Sequence, residues 1–182
     1  MSDLNVIKFR DMSSFDIGDL KGKLVLLIQP DGTMDENTIL VDGLINGMIK
    51  SFINTDVFNS LKAGNFSEVN FFIKKEFLSI LIFKKNKKYS ANDARLIGAK
   101  IAKVVNNDSS HIIIGDDSFP EEVAFGLKLR SYNFSKYREL KSESNYITSI
   151  YVLDVIVAEN SFVEKTAISL GVNFTRDLIN EP

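Results

Sequence analysis

The amino-acid sequence predicts an α/β sandwich, in which helices cover both faces of a mixed, mostly parallel sheet. Three observations lead to this fold class. Apolar runs of strand length alternate with segments whose apolar residues recur at helical spacing. Residues 24–28 and 111–115 are apolar almost without interruption, as is typical of strands that are covered on both faces. Residues 69–83 contain two such runs close together, which predicts an antiparallel hairpin within the same sheet.

Length, charge and composition restrict the classes of protein that fit the chain. Its 182 residues suffice for one α/β domain, and the net charge of −2 gives no reason to expect general nucleic-acid binding. The absence of cysteine excludes disulfides, thiolate nucleophiles and thiolate metal sites. The first residues lack the apolar core of a signal peptide, and no apolar run approaches the ~20 residues of a membrane span. We therefore expect a cytoplasmic protein with no membrane partner.

The first half of the chain predicts two strands and a long helix. Residues 4–9 alternate weakly between polar and apolar and predict a first strand. Residues 24–28 predict a buried strand, which a Pro-Asp-Gly turn ends. Residues 35–52 carry apolar side chains along one helical face. We interpret Gly43 and Gly47 within that helix as positions of close packing against the sheet.

The second half predicts a hairpin followed by alternating helices and strands. Ser90, with Asp93 three residues later, matches the capping pattern of a helix start, and Pro120 suits the first turn of another helix. The predicted elements are hairpin strands 69–73 and 77–83, a helix from 91 to about 105, strands 111–115 and 146–155, a helix over 120–132 and a terminal helix over 159–176.

Few residues qualify as candidates for chemistry. His111 is the chain's single histidine, and alone it makes neither a metal site nor a nucleophile–base pair. We interpret it as the start of a strand at the rim of the sheet. Asp116, Asp117 and Ser118 follow a buried strand at its carboxyl end, where open α/β sheets place ligands. Two carboxylates there could bind a cation, but a turn and helix start explain them as well, and we favour that interpretation.

Two further groups admit both a functional and a structural interpretation. A basic group could contact phosphates, although we favour a solvated loop beside the hairpin; it consists of Lys84, Lys85, Lys87 and Lys88, with Lys100 and Lys103 further on. An aromatic group could stack on a ligand, although we expect it to pack the connection into the last strand or a surface between subunits. Its members are Tyr132, Phe134 and Tyr137, with Arg130, Lys136 and Arg138 around them.

Two motifs carry a resemblance to a known family. The first is Leu129-x-Ser131-Tyr132-x-Phe134-x-x-Tyr137 followed by Arg138, and the second is Arg176-Asp177-Leu178 with Asn180 and Pro182. With weaker similarity over residues 60–105, these motifs resemble the N-terminal, non-catalytic domain of leucyl aminopeptidases, which are cytosolic two-metal exopeptidases. One departure is Ile82-Phe83-Lys84-Lys85, where the family usually has Gly-x-Gly-Lys. That departure argues against a small-ligand role for this turn.

The resemblance implies a fold for this chain and separate roles for an N-terminal domain and a catalytic domain. It implies a macro-domain-like fold over residues 1–157, with residues 158–182 as a linker helix and the first residues of a catalytic domain. It implies a full-length parent that hydrolyses N-terminal amino acids from peptides with two divalent metal ions, manganese or zinc, and that assembles as a homohexamer. The metal-ligand motifs of that family are absent, and Asn54-Thr55-Asp56 imitates the start of one by chance. We therefore expect no catalytic, cofactor-binding or metal-binding residue here, and no activity of the chain alone.

Two alternative functions stay open from the sequence. One is a stand-alone macro-type module that binds ADP-ribose-like groups, but the glycines are scattered and form no Gly-rich phosphate loop. The other is nucleic-acid binding by the same domain, which some members of the resembled family show, and which the net charge of −2 opposes.

The terminal helix carries an apolar stripe that we expect to pack partly on the sheet of its own domain. We expect Phe162, Val163 and Leu170 to be its more buried members. The family's catalytic domain would meet the far end, so we expect Phe174 and Leu178 to be exposed. Contacts through Phe174, Leu178 or Ile179 should then form a weak dimer that the intact enzyme would not form. The whole stripe consists of Phe162, Val163, Ala167, Leu170, Phe174 and Leu178.

Overall fold

Six strands and six helices are seen in a computed structural model that describes residues 5–73, 76–105, 108–115, 118–132 and 146–180. The strands are β1 (Asn5–Asp11), β2 (Lys23–Ile28), β3 (Phe66–Ile73), β4 (Glu76–Lys84), β5 (Ser110–Ile113) and β6 (Tyr146–Val152). The helices are α1 (Glu36–Leu44), α2 (Met48–Ile53), α3 (Asp56–Ser60), α4 (Ala91–Val105), α5 (Pro120–Arg130) and α6 (Val155–Asn180).

The strands form one mixed sheet in the order β1-β6-β5-β2-β4-β3. All neighbours pair in parallel except β3 and β4, which form the antiparallel hairpin at one edge. The sequence prediction of a mixed, mostly parallel sheet is therefore confirmed. This strand order explains the unbroken apolar run of β2, because β2 lies inside the sheet and its residues 24–28 are buried on both faces.

Two apolar cores lie on the two faces of the sheet. On one face, α4 and α5 pack over β2, β4, β5 and β6, and the first turns of α6 contribute Ala158 and Phe162. On the other face, α1, α2, α3 and two short 3₁₀ turns between β1 and β2 cover the sheet, with Phe58 as the largest side chain that is fully buried there. The helices on both faces give the sandwich that the sequence predicts.

The predicted helix over residues 35–52 is wrong in one respect, because it is two helices. Asn46 and Gly47 both adopt positive φ angles, 57° and 74°, and this left-handed turn separates α1 from α2. The carboxylate of Asp42 closes the break, since it accepts hydrogen bonds from the backbone N–H groups of Ile49 (2.8 Å) and Lys50 (3.2 Å). Asp42 thus supplies the acceptor that the start of α2 needs.

The prediction that Gly43 and Gly47 allow close packing is also wrong. No atom lies within 4 Å of the position that a Cβ would take at either residue. The close approach occurs between α4 and α5, where a Cβ on Gly98 would lie 2.1 Å from the carbonyl oxygen of Val123. A Cβ on Gly126 would lie 2.0 Å from the carbonyl oxygen of Arg95, so reciprocal glycines let these two helix backbones touch.

The boundaries of the later elements follow local chemistry. The capping pattern at Ser90 is confirmed: Ser90 Oγ accepts from the N–H of Asp93 (3.3 Å), and Asp93 accepts from the N–H of Ser90 (3.0 Å). Pro120 occupies the first turn of α5, as predicted. The last strand ends at Val152 rather than 155, and α6 runs longer at both ends than the predicted 159–176. Residues 74–75 of the hairpin turn lie outside the described part of the chain.

No helix among the described residues combines the length and the apolar character that crossing a membrane requires.

Candidate functional site

The carboxyl edge of the parallel strands holds a buried lysine. Lys85 follows β4 directly and is 1% exposed, although the sequence suggested a solvated loop for it. Its Nζ donates a hydrogen bond to Ser118 Oγ (2.6 Å) and lies 5.2 Å from the centre of the Tyr89 ring. Its backbone N–H donates to the carbonyl of Ile28 at the end of β2 (2.8 Å). Lys85 therefore joins the ends of two strands to the loop that precedes α5.

The start of α1 fills the neighbouring part of this edge. Asn37 donates a side-chain hydrogen bond to the carbonyl of Ile114 (3.0 Å), and a Cβ on Gly115 would lie 2.2 Å from the carboxylate carbon of Asp35. Asp35 itself caps α1 by accepting from the N–H of Thr38 (2.8 Å). Protein groups thus occupy the space beyond β5. Asp116 and Asp117, the candidate cation ligands, lie outside the described residues.

His111 lies near the start of a strand, as predicted, and that strand is an interior one. It is the second residue of β5, between β6 and β2, and its Nδ1 lies 3.4 Å from the hydroxyl of Tyr151. Burial of the imidazole, together with the positive charge of Arg10, lowers the pKa of His111, so the ring is neutral at pH 7. A cation as a near neighbour makes this position unsuited to a metal ion.

The basic group of the sequence is dispersed in the structure. Lys84 donates to the carbonyls of Phe58 (3.1 Å) and Asn59 (3.2 Å) and so satisfies the end of α3. Lys100 donates to Asn65 Oδ1 (2.9 Å) and to the carbonyl of Gly64. With Lys85 buried, these three lysines serve the fold rather than a phosphate surface. Lys87, Lys88 and Lys103 are exposed, as a solvated loop and helix surface require.

The two motifs that carry the family resemblance lie in contact with each other. The guanidinium of Arg176 in α6 donates to the carbonyl of Leu129 in α5 (2.7 Å) and lies 5.4 Å from the centre of the Tyr132 ring. The Tyr132 hydroxyl donates to Asp177 Oδ1 (2.7 Å). We name these four residues the α6 anchor. Phe134, Lys136, Tyr137 and Arg138 of the first motif lie outside the described residues.

A buried carboxylate holds the middle of α6. Glu122 in α5 is 5% exposed and lies 2.8 Å from a guanidinium nitrogen of Arg95 in α4 and 2.6 Å from Nζ of Lys165 in α6. Burial alone would raise the pKa of Glu122, but the hydrogen bonds from Lys165 and Arg95 outweigh it and the pKa is lowered. One carboxylate therefore joins three helices. From the sequence, Glu122 is only an acidic residue close to Pro120 in the first turn of a predicted helix, because nothing in the sequence shows which cations will face it.

The apolar stripe of α6 mostly faces outward, which corrects the sequence interpretation. Phe162 is half-buried and packs edge-to-face on Phe9 (5.5 Å between ring centres), as expected. Val163 and Leu170 are exposed rather than buried, while Phe174 and Leu178 are exposed as expected. The face of the helix that contacts α5 is instead largely polar, and its contacts are the ion pair between Lys165 and Glu122 and the α6 anchor. It consists of Ala158, Phe162, Lys165, Ser169, Asn173 and Arg176.

The described residues contain no ligand set for the metal ions that the resemblance implies. Within residues 5–73, 76–105, 108–115, 118–132 and 146–180, no three histidine, aspartate or glutamate side chains are placed to hold a metal ion. The apparent motif Asn54-Thr55-Asp56 has a structural cause, since Thr55 caps α3 through its hydroxyl (3.5 Å to the N–H of Phe58). This part of the chain does not fit a dimetal centre.

Comparisons with known proteins point to one family. The chain is 24% identical over 160 residues to a probable cytosol aminopeptidase of Dinoroseobacter shibae, covering 88% of the chain and 33% of the relative. It is 24% identical over 177 residues to the protein of the same name from Cereibacter sphaeroides, covering 97% of the chain and 36% of the relative. A third, from Rhizobium etli, is 36% identical over 97 residues, covering 47% of the chain and 20% of the relative. No protein-family model matches the chain.

A solved structure agrees in fold. A variant of tomato leucine aminopeptidase superposes with a TM-score of 0.64 at 18% identity, over 97% of this chain and 38% of that one. The fold is therefore that of a domain found within a leucine aminopeptidase. The chain is similar to cytosol aminopeptidases, as the sequence resemblance indicated, and it matches an N-terminal portion of them. It spans about a third of the length of these curated relatives. Neither alternative function, ADP-ribose binding or nucleic-acid binding, is supported by these matches.

Proposed function

We propose that the chain is the auxiliary, non-catalytic domain of a leucyl aminopeptidase and that the remainder of such an enzyme performs the chemistry. The observation that carries this proposal is the asymmetry of the matches, which cover nearly all of the chain but only about a third of each relative. The absence of a metal-ligand cluster among the described residues is compatible with it.

In this proposal the full-length enzyme hydrolyses N-terminal amino acids from peptides in the cytoplasm. Two divalent metal ions, manganese or zinc, would activate a water molecule there and polarise the scissile carbonyl. The residues of the present chain take no part in that step. They fold into a support that is joined to the catalytic domain of the same polypeptide, within a homohexamer. The domain by itself stays short of the hexamer, because we assign the main assembly contacts to the catalytic domain.

We further propose that α6 is the connector between the two domains, with residues 1–157 as the N-terminal domain and residues 158–182 as the linker. Two sets of contacts support a rigid connector. Glu122 holds Lys165 in the middle of α6, and the α6 anchor holds Arg176 near its end. A helix fixed at two points fixes the direction in which the chain leaves the domain.

The first test is an activity assay on the chain alone. We expect no turnover of chromogenic amino-acid amides, with or without added manganese or zinc. Turnover that survives rigorous removal of host peptidases would refute the assignment of the chemistry to another domain.

The second test replaces the matching segment of the Dinoroseobacter shibae relative with this chain. We expect the chimera to hydrolyse the same amides and to assemble as the unmodified relative does. In the chimera, Arg176→Ala combined with Tyr132→Phe should reduce activity, because the connector loses its anchor. Arg130→Ala, which removes an exposed arginine from the end of α5, should leave activity unchanged. Equal activities of all three chimeras would contradict the connector role of α6.

A further inference from the structure

The face of α6 that points away from the domain is uncharged and mostly apolar along five turns. We name Ile156, Asn160, Val163, Ala167, Leu170 and Phe174 the outer stripe. Its four large apolar side chains are between 51% and 71% exposed, and no charged residue interrupts it. At 1.5 Å per residue the stripe extends about 27 Å along the helix. Apolar surface of this extent on a soluble domain marks an interaction site.

The spacing of the outer stripe indicates what kind of partner fits it. Its residues follow one another at intervals of four, three, four, three and four, which is the 3.5-residue period of a helix that pairs with another helix. The inner face of α6, which includes Ser169 and Arg176, lies on the opposite side and packs on α5. A second helix can therefore lie along the stripe without displacing the domain.

We propose that the outer stripe binds the outer stripe of a second copy of this chain, with the two helices antiparallel. The charges favour that direction. Glu159 and Glu164 are exposed and flank the stripe five residues apart, on its two sides. In a parallel pair, Glu159 of each copy would face Glu164 of the other, and both contacts would be repulsive. In an antiparallel pair these carboxylates lie towards the C-terminal half of the other helix.

Side-chain volume favours a particular antiparallel register. With the two-fold axis between Ala167 and Leu170, Ala167 of one copy faces Leu170 of the other, and Val163 faces Phe174. Each of these layers sets a smaller side chain against a larger one, which is how facing layers interdigitate. Glu164 then faces Gly171, where no atom of this chain lies within 4 Å of the position of a Cβ. A parallel pair would instead set Ala167 against Ala167 and Phe174 against Phe174.

The interface is expected to be weak. In this register the segment from Val163 to Phe174, about 17 Å of helix, faces its counterpart, and it buries less surface than the roughly 1,600 Å² of a standard stable complex. Dimerisation should therefore appear at micromolar rather than nanomolar concentration. This inference rests on the surface of α6 alone and does not depend on the function proposed above.

The first test is sedimentation of the purified chain over a concentration series from low micromolar upward. We expect a reversible monomer–dimer equilibrium. Leu170→Glu should weaken the dimer at least about 100-fold, because each copy would bury an unpaired charge. Leu44→Glu is the matched control: Leu44 and Leu170 are both 51% exposed, but Leu44 lies on α1, so its replacement should leave the dimer unchanged. Circular dichroism checks that both variants are folded.

The second test determines the direction, and the cysteine-free chain makes it simple. A chain that carries both Val163→Cys and Phe174→Cys should form a covalent dimer on mild oxidation, with position 163 joined to position 174 of the other copy. Val163→Cys alone should form no covalent dimer when oxidised. Efficient cross-linking of that single variant would indicate a parallel pair and overturn the antiparallel arrangement.

A chain that stays monomeric up to sub-millimolar concentration, or a dimer that Leu44→Glu rather than Leu170→Glu disrupts, would overturn the proposal, and the stripe would then serve a different partner.

Discussion

Glu122 is the residue at which α4, α5 and α6 are joined by charge. We expect Glu122→Gln to lower the free energy of unfolding by about 2 kcal/mol at neutral pH, because Arg95 and Lys165 lose the carboxylate that both of them contact. Both cations are partly exposed and can turn towards water, which limits the loss. Urea unfolding of the two proteins measures the difference. Glu121→Gln, in the same first turn of α5, is the control and should change stability little.

The lowered pKa of Glu122 gives this comparison a defined pH dependence. A carboxyl with a folded pKa below its usual 4.5 stabilises the fold above that value and loses the contribution as the pH falls through the folded pKa. The difference between the wild type and Glu122→Gln should therefore be constant from neutral pH down to about pH 5 and shrink at lower pH. A difference that stays constant down to pH 3 would contradict this account.

Single residues are also where the sequence was least informative. Lys85 stands among four lysines and resembles its neighbours in every local respect, yet it is buried beside Ser118 and Tyr89. Its burial follows from the loop that precedes α5, more than thirty residues later. The pairing of Glu122 with Lys165 similarly depends on where α6 lies. Contacts of this kind depend on tertiary placement, which periodicity does not encode.

At the scale of elements, Gly43 and Gly47 differ in backbone conformation although both have open space around them. Gly43 lies within α1, so Gly43→Ala should stabilise the protein by about 0.5–1 kcal/mol, because alanine loses less chain entropy on folding. Gly47 has a φ of 74°, so Gly47→Ala should destabilise it by about 1 kcal/mol through left-handed strain. Thermal unfolding of both variants measures the opposite shifts. Stabilisation by both would mean that residues 45–48 can continue the helix.

The terminal helix shows how an apolar periodicity can be assigned to the wrong face. Sequence reasoning located α6 and its exposed end correctly, and it placed Val163 and Leu170 inward because apolar stripes usually cover a core. The domain instead contacts α6 mainly through polar groups, with Phe162 as the chief aromatic contact. Periodicity shows which residues share a face of a helix. Which face is buried depends on the side chains and backbone groups that the neighbouring helix presents. Here α5 offers Glu122 and the carbonyl of Leu129.

At the scale of the whole molecule, we expect stability to be independent of metal ions. The two apolar cores on the faces of the sheet supply the burial, and the described residues contain no cluster of metal-ligating side chains. The midpoint of thermal unfolding should therefore be the same with and without a strong chelator. A large decrease on chelation would reveal a carboxylate site outside the described residues, with Asp116 and Asp117 as the first to replace by asparagine.

The architecture was more predictable than any site. Unbroken apolar runs identified β2 and β5 as strands covered on both faces, and the closely spaced runs near residue 75 identified the antiparallel hairpin. Hydrophobic pattern determines such features directly because every strand must bury its faces. The order of the strands and the break at Asn46 and Gly47 were not predicted, because both are set by long-range pairing and backbone conformation.

The strand order also constrains the time course of folding. β1 is synthesised first, but its neighbour in the sheet is β6, and Phe9 pairs with Ile150. The N-terminal strand therefore has no partner until nearly the whole domain has left the ribosome. Strands β2, β4 and β3 can associate earlier, since their pairings join nearer segments. Sequence-distant pairing of this kind slows folding, so the nascent chain carries an unpaired strand for most of the synthesis of this domain. A cell that makes this protein must keep that strand from pairing with other chains in the meantime.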